Sequence, residues 1–141
     1  MRVEKLRAWH LEALELQPSQ AMFGTSIKQP DYQRMIVNAG QAFAAVSGDT
    51  VLGCGGMTEL WENRAQIWAL VSKDAGPHMV GIHRAVEGFL KQAPQRRIEA
   101  YVLVGFSAGS RWIRRLGFKH EGTMRAYSPE GDDYELYARV R

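Results

Sequence analysis

Three strand-like runs follow one another between residues 41 and 72, and no helical pattern separates them. Two of the runs lie in QAFAAVSGDTVLGCGGMTEL, where they flank SGDT, whose Gly48 and Asp49 favour a tight hairpin turn. The third run, NRAQIWALVS, follows the turn-like WEN. Consecutive strands joined by short turns pair in an antiparallel meander, so we predict a sheet built around three such strands.

Helical and strand-like segments lie on both sides of this meander. Residues 1–8 are compatible with a strand, WHLEALELQ places three leucines near one helical face, and PDYQRMIVNAG predicts a helix between Pro30 and Gly40. After the meander, HMVGIHRAVEGFLKQA has helical spacing, RRIEAYVLVGF is typical of a buried strand, and AGSRWIRRLGF indicates a helix that ends near Gly117. The closing TMRAYSPEGDDYELYARV predicts a hairpin across SPEGDD, which gives the order β α α β β β α β α β β.

Length and composition limit the class of protein. With 141 residues, 45% of them apolar and 23% charged, the chain is expected to form one globular domain over residues 1–141. The net charge is only +3 and no basic stretch is interleaved with aromatic residues, so nucleic-acid binding is not expected. MRVEKLRAWH has no apolar secretion signal and no run reaches the roughly 20 apolar residues of a membrane span, so we expect a soluble, cytoplasmic protein without a membrane partner.

The cysteine and histidines give no sign of metal or thiol chemistry. Cys54 is the only cysteine and lies in GCGG within a predicted buried strand, so we interpret it as a small core residue. The glycines of GCGGM do not have the dinucleotide-binding spacing. His78 and His83 are five residues apart and lack a carboxylate cluster, so no metal site is predicted.

The order of elements and two stretches of sequence resemble the GNAT superfamily of acyl-CoA-dependent N-acetyltransferases. SRWIRRLGFKHEGTMRAYSPEGDDYELYARV is similar to the family's helix, Gly-Phe turn and closing strands, and AFAAVSGDTVLGCGGM to its paired second and third strands. The resemblance covers nearly the whole chain. It implies an α/β (α+β) fold with a mixed, mostly antiparallel sheet, splayed fourth and fifth strands and helices on both faces.

A second resemblance concerns IWALVSKDA and the helix after it. This region is similar to small GNAT-like proteins of short-tailed phages, among them an internal virion protein. It implies a chain that is phage- or prophage-encoded.

The GNAT resemblance implies acetyl-CoA as cosubstrate. Its pantetheine arm would pair with unpaired backbone groups of Trp68, Ala69, Leu70 and Val71, and its pyrophosphate would lie at the amino end of the next helix, where free N–H groups and the helix dipole favour an anion. The family signature of that loop is matched strictly only at Gly81 of HMVGIH, and the side chain of His83 would crowd the phosphates. The implied phosphate-binding residues are His78, Val80, Gly81, Ile82, His83 and Arg84.

The family's catalytic side chains are replaced in this sequence. Many relatives carry an Asn and a Tyr at the positions that Phe106 and Ile113 occupy here, and neither of these side chains can transfer a proton. By residue type, the proton donor to the leaving thiolate would be one of the tyrosines of the closing hairpin, and Tyr127, Tyr134 and Tyr137 are the candidates.

Two acidic residues are candidates for the base. Glu59 lies near the end of the third strand and Glu62 in the following turn, and either could accept the amine proton through water. Both are also compatible with ordinary exposed carboxylates. Trp61, between them, could line the acceptor pocket.

Three arginines share one face of the last helix. Arg111, Arg114 and Arg115 are spaced i, i+3, i+4, close enough together to meet a phosphate of CoA, for which Arg111 and Arg114 are the candidates. They are equally compatible with a solvated face above a core of Trp112, Ile113 and Leu116.

Two functions remain open. The first is an acetyl-CoA-dependent N-acetyltransferase that acts on a primary amine by direct transfer in a ternary complex, with a homodimer as a possible assembly. The alternative is a catalytically silent GNAT-fold protein that serves as a phage structural or interaction component. The missing Asn, Tyr and glycine-rich loop support the alternative.

Overall fold

Seven strands and four α-helices follow one another in the predicted order. The computed structural model describes Met1–Arg141. Its elements are β1 (Arg2–Lys5), α1 (Ala8–Ala13), α2 (Pro30–Asn38), β2 (Gln41–Ser47), β3 (Thr50–Trp61), β4 (Arg64–Val71), α3 (Met79–Gln92), β5 (Arg97–Leu103), α4 (Ser107–Arg115), β6 (Lys119–Met124) and β7 (Tyr134–Val140). Three short 3-10 helices lie at Pro18–Phe23, Ser26–Lys28 and Gly76–His78.

The strands form one mixed sheet in the order β1-β2-β3-β4-β5-β7-β6. The pairs β1–β2, β2–β3, β5–β7 and β6–β7 are antiparallel. Strands β4 and β5 pair in parallel, because the chain between them crosses through α3. The predicted mostly antiparallel α/β fold is confirmed.

The parallel ladder is short. It joins Arg64–Gln66 to Arg97–Glu99, whereas β4 continues to Val71 and β5 to Leu103. The fourth and fifth strands therefore part after three residue pairs. The edge of β4 beyond Gln66 is left without a strand partner on this side.

Contacts divide the chain into two compact units. The first contains residues 1–58 and 69–92, and the second contains residues 59–68 and 93–141. Buried apolar side chains of the first unit include Leu6, Leu11, Leu14, Ile27, Val46 and Leu52, and those of the second include Ala65, Ile98, Ile113, Phe118 and Tyr137. The interpretation of residues 1–141 as one GNAT-like domain stays a prediction.

Three element boundaries differ from the sequence-based expectation. Helix α1 ends at Ala13, because Leu14 is already extended (ψ 123°) and Leu16 pairs with Ser72. Strand β3 extends to Trp61, which the sequence placed in a turn. Strand β6 begins at Lys119 and ends at Met124, whereas the sequence placed it from Thr123, since its pairing with β7 fixes its extent.

The LGF motif ends α4 through its backbone. Gly117 adopts φ 92° and donates its N–H to the carbonyl of Arg114 at 3.0 Å, while the Phe118 N–H bonds the carbonyl of Ile113 at 3.2 Å. This pair of bonds is the Schellman motif, which satisfies carbonyls that a helix end leaves free. The side chains of Ile113 and Phe118 are both buried, so the motif also directs the chain into β6.

Two glycine substitutions should have opposite effects on stability. A Cβ at Gly117 or at Gly88 would meet no atom within 4 Å, so any effect comes from the backbone. Gly117→Ala should destabilise the fold by about 1–2 kcal/mol, because φ 92° disfavours a side chain. Gly88→Ala, inside α3, should stabilise it by about 0.5–1 kcal/mol. Urea unfolding of both variants measures the difference, and shifts of the same sign would contradict this account.

Two further findings bear on function. Cys54 is 3% exposed, and burial raises the pKa of its thiol to about 12, so the interpretation of Cys54 as a small core residue is confirmed.

None of the helices combines the length and the apolar character that crossing a membrane requires.

Candidate active site

A row of polar side chains projects from one face of β5. Arg97, Glu99 and Tyr101 alternate along the strand with the buried Ile98 and Ala100. Because successive side chains of a strand point to opposite faces, the three polar groups share one face of the sheet. The prediction that RRIEAYVLVGF forms a buried strand holds for Ile98–Ala100, but it did not single out this polar face.

Glu99 is the centre of the row and is only 2% exposed. Arg64 of β4 binds it with two parallel hydrogen bonds, from Nε to Oε2 at 2.7 Å and from Nη2 to Oε1 at 2.9 Å. The Nε of Arg97 donates to Oε2 at 2.6 Å, and the hydroxyl of Tyr101 donates to Oε1 at 2.9 Å. Each carboxylate oxygen thus accepts two hydrogen bonds, which is what a buried charge requires.

These partners fix the protonation states in the network. Hydrogen bonds from Arg64 and Arg97 lower the pKa of Glu99 to about 2, against the opposing effect of burial. Burial, together with the bond to Glu99, raises the pKa of Tyr101 to about 12. Bonds to Glu121 and Glu99 also raise the pKa of Arg97. At neutral pH Glu99 is therefore an anion and Tyr101 a neutral phenol. A carboxylate with so low a pKa accepts a proton poorly, so Glu99 is a poor general base.

A shallow cleft of about 420 Å³ opens beside this network. Trp61 is 63% exposed at its rim, and the guanidinium carbon of Arg64 lies 4.1 Å from the centroid of its ring. The lining residues are Trp61, Glu62, Asn63, Arg64, Arg96, Arg97 and Glu99. The candidate base Glu62 thus lies at the cleft, whereas the structure places Glu59 as an exposed residue of β3.

The ring of Tyr127 contacts the ring of Tyr101, which belongs to the network. The ring centroid is 5.5 Å from that of Tyr101 and 5.2 Å from that of Tyr134. Tyr127 is 48% exposed, whereas Tyr137 is 2% exposed. Burial raises the pKa of Tyr134. Of the three hairpin tyrosines, Tyr127 is the most exposed.

The end of β4 carries the residues predicted to pair with pantetheine. Trp68, Ala69 and Val71 are half-buried and Leu70 is buried. The prediction that their backbone groups are unpaired is wrong for two of them. The side-chain amide of Gln20 bonds both the Ala69 carbonyl and the Val71 N–H, each at 2.8 Å.

Most backbone N–H groups of the turn before α3 already donate hydrogen bonds within the protein. The N–H of Lys73 bonds Glu15, those of Asp74 and Ala75 bond Ser72, and that of His78 bonds Ala75. The turn itself therefore has few N–H groups left to bind an anion. An anion would have to bind the N–H groups in the first turn of α3 instead.

Side chains in the first turn of α3 differ in accessibility. Val80 is 66% exposed, Arg84 is exposed, His83 is half-buried and Ile82 is buried. A Cβ at Gly81 would lie 3.0 Å from the Cε of Met1, so in this structure the missing side chain leaves room for Met1.

Sequence comparison alone finds no relative: no protein-family model matches the chain, and no curated protein is similar to it. Solved structures match it over its whole length. A ribosomal-protein-alanine N-acetyltransferase from Brucella melitensis matches with a TM-score of 0.77 at 12% identity, with 100% of both chains covered. An N-acetyltransferase from Staphylococcus aureus Mu50 matches with 0.74 at 16% identity, over 99% of this chain and 97% of that chain. A GNAT-family acetyltransferase from Bacillus anthracis matches with 0.69 at 15% identity, over 98% and 93%. This chain has the GNAT fold.

The two positions where many GNAT relatives carry Asn and Tyr are apolar packing sites here. Phe106 precedes α4, and its ring would lie 2.8 Å from a Cβ at Gly109, so Gly109 leaves room for it. Ile113 is 6% exposed and belongs to the core beneath α4. Neither side chain can transfer a proton, so a catalytic acid or base in this protein would come from another element.

The arginine face of α4 is present. Arg111, Arg114 and Arg115 are all exposed, and the guanidinium carbon of Arg114 lies 5.6 Å from the ring centroid of Tyr137. An exposed guanidinium over an aromatic ring suits either a solvated face or a phosphate contact. The role of Arg111 and Arg114 toward CoA stays a prediction.

The residues that the sequence did not reveal are Arg64, Arg97, Glu99, Tyr101 and Gln20. Arg97, Glu99 and Tyr101 carry a signal in retrospect, because RIEAYVL places Arg, Glu and Tyr at every second position of an otherwise apolar strand. Gln20 lies in an irregular segment and carries no such signal.

Proposed function

We propose that this protein is an acetyl-CoA-dependent N-acetyltransferase that transfers the acetyl group directly to a primary amine in a ternary complex. Two observations support this function above the others. The chain matches solved N-acetyltransferases over its whole length, and its β4–β5 ladder ends after three pairs, so β5 does not pair with the end of β4. In the GNAT fold, this is where an acyl-CoA arm is expected.

The residues along β4 fit an amide-bearing arm. The Ala69 carbonyl and the Val71 N–H already hold one primary amide, that of Gln20, so they have the geometry to accept another. In the proposal, acetyl-CoA lies along Trp68–Val71. Its pyrophosphate is held around the start of α3 by His78, Val80, Gly81, Ile82, His83 and Arg84, with Arg111 and Arg114 contributing charge.

The chemistry requires two proton movements. The neutral amine attacks the thioester carbonyl, an N–C bond forms, the C–S bond breaks, and CoA leaves as a thiolate. We assign removal of the amine proton to Glu59 acting through water, and protonation of the thiolate to Tyr127. Glu59 is an exposed carboxylate, and Tyr127 is the accessible tyrosine of the closing hairpin.

Tyr101 is a poor alternative to Tyr127 as the acid. Its pKa is raised to about 12, and its hydroxyl proton is bound to Glu99. An ordinary thiol has a pKa of about 8.5, so transfer from Tyr101 to a thiolate would be uphill. We therefore assign Tyr101 a positioning role, since Glu99 holds its hydroxyl and its ring contacts that of Tyr127.

Calorimetric titration with acetyl-CoA tests the binding step. We expect a saturable heat of binding, and release of free thiol when the complex meets an accepting amine from a panel of peptide amino termini, lysine peptides, polyamines and aminoglycosides. In the same titration, Arg111→Ala and Arg114→Ala should each weaken binding several-fold if these arginines contact phosphate. The absence of heat at millimolar acetyl-CoA would contradict the proposal.

The second candidate function is an interaction protein that has the GNAT fold but no activity. Two observations favour it: Phe106 and Ile113 replace proton-transfer side chains, and Gln20 already satisfies two backbone groups of β4. Under this function, a structural or phage-related component is the role that the sequence resemblance suggests. Acetyl-CoA binding separates the two candidates.

A further inference from the structure

The segment of residues 15–20 lies along the end of β4 and is anchored there by its backbone. Leu16 pairs with Ser72 in an antiparallel bridge, the Gln17 N–H donates to the Val71 carbonyl at 2.9 Å, and the Lys73 N–H donates to the Glu15 carbonyl at 3.0 Å. These bonds do not involve the Gln20 side chain. They hold the segment in place whatever that side chain does.

The Gln20 side chain makes a separate set of bonds. Its Nε2 donates to the Ala69 carbonyl at 2.8 Å, and its Oε1 accepts from the Val71 N–H at 2.8 Å. The Gln17 side chain steadies this amide by donating from its Nε2 to the same Oε1 at 3.1 Å. Gln20 is half-buried, so its side chain is not enclosed by the core.

The Ala69 carbonyl and the Val71 N–H lie on one edge of β4. It is the same edge that pairs with β5 at the start of β4. The Asn63 carbonyl accepts from the Arg97 N–H at the start of β5, and alternate residues of a strand present their backbone groups to the same edge. Ser72, with the opposite parity, donates its N–H to Leu52 of β3. Gln20 therefore occupies the edge that the short parallel ladder leaves open.

A donor and an acceptor two residues apart on one strand edge select a ligand that both donates and accepts, which is the pattern of an extended peptide-like amide. The side-chain amide of a glutamine also has both a donor and an acceptor, so it can bind these two groups without adding a strand to the sheet. Since the backbone anchors of residues 15–20 remain when the side chain rotates, Gln20 can leave the edge without unfolding the segment.

We propose that Gln20 is a built-in gate on β4, whose side-chain amide occupies the Ala69 and Val71 backbone groups until the amide of an acyl-CoA arm displaces it. This inference rests on the proposed function, because it takes acyl-CoA as the ligand of that edge. The gate stabilises the empty protein and weakens apparent cofactor affinity, because the ligand must break two hydrogen bonds before making its own.

Calorimetry with acetyl-CoA on the wild type, Gln20→Ala and Gln92→Ala tests the gate. Gln92 is an exposed glutamine at the last residue of α3 and serves as the matched control. Gln20→Ala should bind acetyl-CoA about 5- to 30-fold more tightly, as expected for removing one to two net hydrogen bonds from the free state. Gln92→Ala should bind as the wild type does. In ¹⁵N NMR spectra of the wild type, acetyl-CoA should shift the Gln20 side-chain amide signals.

Each other outcome overturns the gate, and the outcomes separate it from the proposed function. Equal affinity of the wild type and Gln20→Ala, with unmoved Gln20 amide signals, refutes the gate and leaves acetyl-CoA binding intact. Weaker binding by Gln20→Ala makes Gln20 part of the cofactor site and also refutes the gate. If neither protein binds acetyl-CoA while NMR shows both folded, the proposed function and the gate fail together.

Discussion

Replacing Glu99 by Gln should destabilise the protein by about 2–4 kcal/mol, a large part of the stability of a chain of this size. The amide of the variant cannot accept the four hydrogen bonds that the carboxylate accepts, and its NH₂ group would face an arginine donor. Arg64 and Arg97 would lose their buried counter-charge. Their side chains are 27% and 31% exposed, so water compensates in part, which keeps the expected loss below that of a fully buried pair.

Two other Glu→Gln substitutions serve as controls. Each removes a carboxylate charge that is not buried, so they separate the effect of burial from that of charge. Glu62→Gln, an exposed carboxylate of the same cleft, should change stability by no more than about 0.5 kcal/mol. Glu121→Gln removes a partly exposed partner of Arg97 and should cost about 1 kcal/mol or less. Urea unfolding at neutral pH measures all three variants. Equal losses for Glu99→Gln and Glu121→Gln would contradict the central place of Glu99.

The effect of Glu99 should depend on pH with a definite sign. Its pKa is about 2 in the folded protein, below the value of about 4.3 for an unperturbed glutamate, so in this interval the unfolded chain binds the proton more tightly. The stabilisation is therefore complete above the unfolded pKa and is lost as the pH falls toward 2. The stability difference between wild type and Glu99→Gln should narrow between about pH 6 and pH 3, and a difference that widens would contradict the ion-pair account.

The fold could be predicted from the sequence because its signals are local. The SGDT turn, the alternating runs of β2 and the Gly117 end of α4 depend on a few neighbouring residues, and the element order follows from them. The ends of elements depend on distant partners. The pairing of β6 with β7 begins at Lys119, four residues before the start that the sequence predicted.

The site was less predictable because its interactions join distant positions. Glu99 and Arg64 are 35 residues apart in sequence, and Gln20 and Val71 are 51 apart. From the sequence, Arg97 and Glu99 are simply charged residues beside an apolar run, and only the β4–β5 register brings Arg64 to them. Residue type did indicate Tyr127, but its exposure and its contact with Tyr101 come from the structure.

Replacing Tyr127 by Phe should lower the turnover number for acetyl transfer by about 10²-fold, the lower end of what general acid catalysis contributes. The ring contacts of Tyr127 with Tyr101 and Tyr134 do not need its hydroxyl. Stability and acetyl-CoA affinity should therefore stay unchanged while turnover falls. Thiol release under saturating acetyl-CoA measures turnover, thermal unfolding measures stability, and calorimetric titration measures acetyl-CoA affinity.

Tyr101→Phe is the matched control for Tyr127→Phe, since it removes a hydroxyl that is bound to Glu99. Losing that charge-assisted bond should cost about 1–2 kcal/mol of stability, with a smaller loss of turnover than Tyr127→Phe shows. If Tyr101→Phe instead removes most of the turnover and Tyr127→Phe almost none, the donor is Tyr101, and its raised pKa must fall when the cofactor binds. If neither substitution changes turnover, neither hydroxyl alone is required, and the assignment of Tyr127 as the acid is wrong.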